Sequence, residues 1–165
     1  MIGAGQRLPE NTLGTTMDVL TPEHTRVVHR SLLYDLWDIA AVGGIAGPAV
    51  RDLIARLTSH FSREEELLRS IHALARPGPK SDDAPEPEDI EIMAGFLDAE
   101  LDDLRREHME FEPAIRELEE VAEAVFDERL FALAHRLAAH LSEEERVHFP
   151  AAGLIGRTFI PVSVQ

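Results

Sequence analysis

The 165-residue chain contains no cysteine. That single absence removes disulfides, thiolate zinc sites, iron–sulfur ligation and cysteine nucleophiles together. Basic residues are scarce: 16 lysines and arginines face 31 aspartates and glutamates, for a formal net charge of −15. Nucleic acid and anionic membrane both demand basic patches, so neither is expected as a partner. No apolar run approaches the length of a membrane span. The opening "MIGAGQRLPENTLGTTMDVL" has no continuous apolar core, so it is not expected to act as a signal peptide. A soluble cytoplasmic protein is the expectation. Sustained period-two alternation is also missing, which argues against strands, except in the closing "RTFIPVSVQ". What remains is a length that suits one domain with a sizeable core. It carries eight histidines. In an acidic chain without cysteine, they are the one compositional hint of metal.

The apolar periodicity predicts four helices. The first opens at Thr21-Pro22-Glu23, an N-cap, a proline at the first helical position and an acidic first turn. It carries Val28, Leu32, Leu36 and Ile39 on one face and ends in "VGGIAGP" (42 to 48). The second follows Pro48 and runs to about Ala75. A Pro-rich acidic connection, "RPGPKSDDAPEPED", has nothing to bury. The third starts near Ile90, with Phe96, Leu97, Leu101 and Leu104 in its stripe, and Pro113 inside it is expected to bend it or split it into two pieces. The fourth runs from near Asp127 to Pro150, with Leu130, Leu133 and Leu137 inward. The expected fold class is all-α: an antiparallel up-down four-helix bundle over residues 21–152, with an N-terminal extension (1–20) and a C-terminal tail (153–165).

A repeat runs through this pattern. "LIARLTSHFSREE" (53 to 65) lies over "LAHRLAAHLSEEE" (133 to 145), so that His60 matches His140, Glu64 matches Glu144 and Glu65 matches Glu145. The other two helices match as well. After His108, apolar residues fall at +3, +7 and +10 (Phe111, Ile115, Leu118). After His29 the same offsets give Leu32, Leu36 and Ile39. His29 lies 31 residues before His60, and His108 lies 32 before His140. His24 is 36 residues from His60 and sits roughly 80° to one side of the stripe, so His29 is preferred. On a helix, positions i and i+4 share a face. His60 with Glu64 and His140 with Glu144 therefore point inward together, beside His29 and His108. Buried charge is costly unless it is paired or coordinates metal. Four imidazoles and two carboxylates at one level of a bundle make a poor core without cations and a satisfied site with two divalent ions. The ligand types suit iron, and also zinc or manganese.

With these residues in place, the sequence resembles the hemerythrin-like, or HHE cation-binding, family. That family sets an isolated histidine on helices one and three and a histidine followed four residues later by a carboxylate on helices two and four. The ending "HLSEEERVHFPAA" is similar to the family's closing stretch. The resemblance covers roughly residues 22 to 152. It implies two iron ions bridged by Glu64, Glu144 and an oxo or hydroxo group, with His29, His60, His108 and His140 as terminal ligands. It implies a small diatomic or peroxidic ligand (O2, NO or peroxide), with oxidoreductase or peroxide-decomposing activity as one form of that chemistry. An iron- or redox-responsive regulatory or iron-handling module is the alternative, with residues 77 to 89 and the tail from Gly153 as readout segments. Two positions depart from the family. Oxygen carriers in it have a fifth histidine a turn beyond the helix-three ligand, where this chain has Glu112. His148 stands where an aliphatic residue is usual. The ligand count leaves each iron about five-coordinate, which turns the expectation from simple oxygen carriage toward reaction, sensing or iron handling. Glu112 or His24 could fill a position. His148 could hydrogen-bond Glu144 or lie at the solvent edge.

Other polar residues read as solvated: His72 and His135 off their stripes, Glu65 and Glu145 beside theirs, and the acidic run from Glu117 to Glu123. Phe61, Phe96, Phe111 and Leu141 read as core, and some of them would wall a dry pocket. A ferritin-like di-iron site is discounted, because its Glu-x-x-His spacing occurs once, at Glu145 to His148, and is not repeated.

Overall fold

The computed structural model describes residues 21–43, 47–75 and 87–158. The expected N-terminal extension, most of the acidic connection and the end of the tail lie outside the described residues. The elements are α1 (Pro22–Val42), α2 (Gly47–Ala75), α3 (Pro87–Val125), α4 (Glu128–Glu143), a π-helical turn (Glu144–His148) and α5 (Phe149–Thr158). No strand occurs among the described residues. The fold class is all-α, as the periodicity requires.

The helix ends follow the local chemistry. The Thr21 hydroxyl accepts a hydrogen bond from the His24 backbone N–H at 3.4 Å, and Pro22 fills a first-turn position that needs no N–H donor. Asp127 caps α4, its carboxylate accepting from the backbone N–H groups of Arg129 and Leu130, each at 3.0 Å. The link between α3 and α4 is very short. Phe126 takes a left-handed conformation, φ 56°. Its N–H donates to the Glu123 carbonyl and that of Asp127 to the Ala122 carbonyl, at 3.3 and 2.9 Å. This is a Schellman closure with phenylalanine in the place where glycine is usual.

Neither Pro113 nor Pro150 ends its helix. Pro113 lies within α3 without dividing it, so the two-piece alternative is not what forms. Pro150 does not end the fourth helix. A helical proline lacks an N–H and presses on the carbonyl four residues before it, here Arg146. The chain meets this by widening the preceding turn: Phe149 N–H donates to the carbonyl of Glu144, five residues back. Helix then continues as α5 through Thr158, so the expected tail begins as helix, while all but the first two residues of the stretch read as a possible strand lie outside the described residues.

α1 packs on α2, α2 on α3, α3 on α4 and α4 on α1, closing a bundle. Its interior holds two apolar clusters. The larger is built by α1, α2, α3 and α4, around Leu36, Leu53, Leu57, Phe61, Phe111, Leu118, Leu130 and Leu137. The smaller joins Leu67 and Ile71 of α2, Leu97, Leu101 and Leu104 of α3, and Phe149 and Ala152 of α5. Phe96 is 73% exposed, against the expectation. It falls one residue, roughly 100°, off the stripe that Leu97, Leu101 and Leu104 define.

Candidate metal centre

Between the two clusters lies a polar layer. His29, His60, Glu64, His108, His140 and Glu144 are all buried, none more than 8% exposed. The structure thus brings together every residue of the expected ligand set. His24 and Glu112 are exposed and stand outside it. His148 does not lie at the solvent edge: it is 4% exposed and belongs to the same layer.

The ligand atoms form three overlapping groups, each with its atoms within 4.8 Å of one another: His29, His140 and Glu144; His60, His108 and Glu144; and Glu64, Glu144 and His148. Glu144 is common to all three. Its Oε1 is 2.7 Å from His140 Nε2 and 3.4 Å from His29 Nε2, while Oε2 is 3.5 Å from His108 Nε2. One carboxylate therefore presents an oxygen to each histidine pair. Glu64 Oε2 approaches His29 Nε2 at 3.2 Å.

Carboxylates outside the layer fix the rings. His29 Nδ1 donates to Glu65 at 3.1 Å, His108 Nδ1 to Glu145 at 3.2 Å and His60 Nδ1 to Glu107 at 2.8 Å. Arg26 holds Glu65, and Arg63 holds Glu107. Such partners set which ring nitrogen keeps its proton and aim the other inward. Glu145 is exposed as expected and Glu65 is half-buried, but neither is idle, since each holds a histidine ring. Each follows a His-x-x-x-Glu motif and reaches back to the histidine of the preceding helix. Their match in the repeat was the signal for this role. Glu107 had no such signal, because Val28 takes the corresponding place beside His29.

Phenylalanines wall the layer. Phe61 stacks on His29 with centroids 3.8 Å apart, Phe111 meets His60 edge-on at 5.2 Å, and Phe149 lies 5.1 Å from His108. A groove of 340 Å³ between α3 and α4 opens beside His108, lined by Glu112, Arg116, Ser142 and Glu145.

The electrostatics separate the groups. Burial lowers His60, His140 and His148, and it takes His108, crowded by the His60 ring, down to about 3. These imidazoles are neutral, the form that ligates metal. Burial also works against a proton on His29, but its contacts with Glu144 and Glu64 outweigh it and push His29 up to about 9. Burial raises Glu144 well above the carboxylate range, and the charge of Glu64 raises it further. Glu64, buried as well, is held low by its contact with His29.

The fit to cations follows from what this layer leaves unsatisfied. Glu64 Oε1, Glu144 Oε2 and both nitrogens of His148 are buried without a hydrogen-bond partner, and Glu64 Oε2 and His140 Nε2 have only the poorly aligned carboxylate–imidazole approaches given above. His60 Nε2 and His108 Nε2 stand 3.0 Å apart. With both Nδ1 hydrogens committed to carboxylates, the two neutral rings aim lone pairs at each other. A cation between them turns that repulsion into ligation.

Comparison with known proteins agrees with this chemistry. The family model of the hemerythrin HHE cation-binding domain matches residues 15–152. No curated protein and no solved structure matches the chain.

Proposed function

Because the chain belongs to the hemerythrin HHE cation-binding family, we propose that its buried layer holds two iron ions and binds O2, peroxide or NO there. The bundle is taken as up-down and antiparallel, and the protein as cytoplasmic. His29, His60, Glu64, His108, His140 and Glu144 would hold the pair, with Glu144 and Glu64 between the ions. When bound, the iron pair supplies electrons and an open coordination position for a small ligand. The observation that carries this reading is the set of buried ligand atoms in three groups around Glu144, several of them without a hydrogen bond.

The chain's own residues do the rest. Glu65, Glu107 and Glu145 keep Nδ1 of three histidines protonated and leave Nε2 free toward the ions. Phe61, Phe111 and Phe149 exclude water, which lowers the local dielectric and restricts the site to small ligands. The groove beside His108 supports an approach route from solvent.

Metal analysis and absorption spectra of aerobically purified protein, before and after O2, peroxide and NO, test the reading. About two irons per chain and a near-ultraviolet band lost in His60→Ala are expected. Protein that stays iron-free and refuses reconstitution overturns it. Regulation by metal state is a second reading, favoured by one observation: the layer draws ligands from all four main helices. Hydrogen exchange with and without iron separates the two, since a responsive module changes protection far beyond the ligands.

A further inference from the structure

The π-helical turn at Glu144–His148 changes what the fourth helix can present. His140, Glu144 and His148 are spaced i, i+4 and i+8. In an unbroken α-helix each step of four advances about 40°, so position i+8 stands roughly 80° from i. His148 would then swing off the face that His140 defines. A π turn takes more than four residues per revolution, because its bonds run from i to i+5. The four steps from Glu144 to His148 thus fall short of a full circle and cancel the forward drift. All three side chains end up buried in one layer.

Two independent observations say what His148 does there. Both of its ring nitrogens are buried without a hydrogen-bond partner, a costly state for an imidazole. One of them is within 4.8 Å of carboxylate oxygens of Glu64 and Glu144. We infer that His148 is a seventh protein ligand of the metal pair, brought onto the ligand face by the π turn. This rests on the metal reading above. The consequence is asymmetry. The ion that His148 joins carries one protein ligand more than its neighbour, so an added small ligand binds at the neighbour. The fifth histidine that the family's oxygen carriers place on helix three is here supplied by helix four, and Glu112 is left at the groove.

The test uses the full chain loaded with Co(II), whose visible absorption strengthens as coordination number falls. Wild type, His148→Ala and His148→Asn are compared, with circular dichroism verifying the fold. The expected result is two Co(II) per wild-type chain and a loss of at least about tenfold in affinity for one of them in both variants, since even partners outside a ligand set are worth that much. Visible absorption of that ion should rise, and free imidazole should reverse the change in His148→Ala. Azide should bind one ion in wild type and two in His148→Ala. Unchanged Co(II) spectra and stoichiometry in both variants, with wild type loading two ions, overturn the role of His148 and leave the metal reading intact. An equal weakening of both ions without imidazole rescue also overturns it, marking His148 as a hydrogen-bond partner only. Wild type that takes up no metal overturns the metal reading itself.

Discussion

Glu107 touches none of the candidate ligand atoms except through His60, yet it decides what His60 can do. Its carboxylate accepts a hydrogen bond from Nδ1–H at 2.8 Å, and Arg63 holds it in place. Glu107→Ala and Glu65→Ala should each lower metal affinity by about 10–100-fold, read by competition against a chromophoric chelator. Exposed Glu66, whose carboxylate pairs with Arg69, should be replaceable by Ala without effect. His29 sets the proton balance. In the metal-free protein it is charged below about pH 9, and Glu144 keeps its proton well above the usual carboxylate range. Ligation needs both groups bare, so metal uptake near neutral pH should release about one proton per chain from His29, and Glu144 adds to the release wherever it is still protonated. Affinity should rise with pH up to about 9 and fall as the solution is acidified. Titration in weak buffer with a pH indicator measures this. The six ligand candidates were legible because the repeat fixed their offsets and i, i+4 geometry fixed their faces. His148 was left between a place beside Glu144 and the solvent edge, because α-helical geometry alone swings it off the ligand face; it lies beside Glu144. Glu65 and Glu145 were set aside because a helical wheel shows the face of one helix and not what a long side chain reaches on the next.

Local rules marked the element boundaries well where a cap announced them, as at Thr21 and Asp127. They failed at Pro150, where tertiary burial of Phe149 and Ala152 gives the chain a reason to widen a turn rather than stop. They were also silent on the link before α4, where a bulky residue takes a left-handed conformation that glycine adopts freely. The Phe126 side chain is 91% exposed, so it packs against little. Phe126→Gly should therefore stabilise the fold by about 1 kcal/mol, the relief of left-handed strain less the added chain entropy. Urea unfolding of the metal-free protein, with an unchanged slope and a higher midpoint, is the expected result. Asp127→Ala, by contrast, removes the cap of α4 and should cost about 1 kcal/mol by the same measurement.

For the whole molecule, the polar layer is a weak plane when stripped and a tie when loaded. Ions that bind only the folded state add stability by mass action, about 4 kcal/mol each at a thousandfold excess over the dissociation constant. Removing metal with a chelator should lower the melting temperature, and re-adding it should restore it. The same layer also divides the interior into unequal parts. The smaller cluster receives residues from α2, α3 and α5 and, among the described residues, none from α1. Stripped of metal, the molecule is two droplets of different size joined by a polar seam, and the lesser droplet has fewer ties to the rest. Slow opening at that end, seen as faster amide exchange in α5 than in the Leu32 to Ala40 part of α1, would be a door for the ions themselves. Loading would then close the door behind them, and the rate at which the protein gives up its metal would be set by the breathing of one end of the bundle.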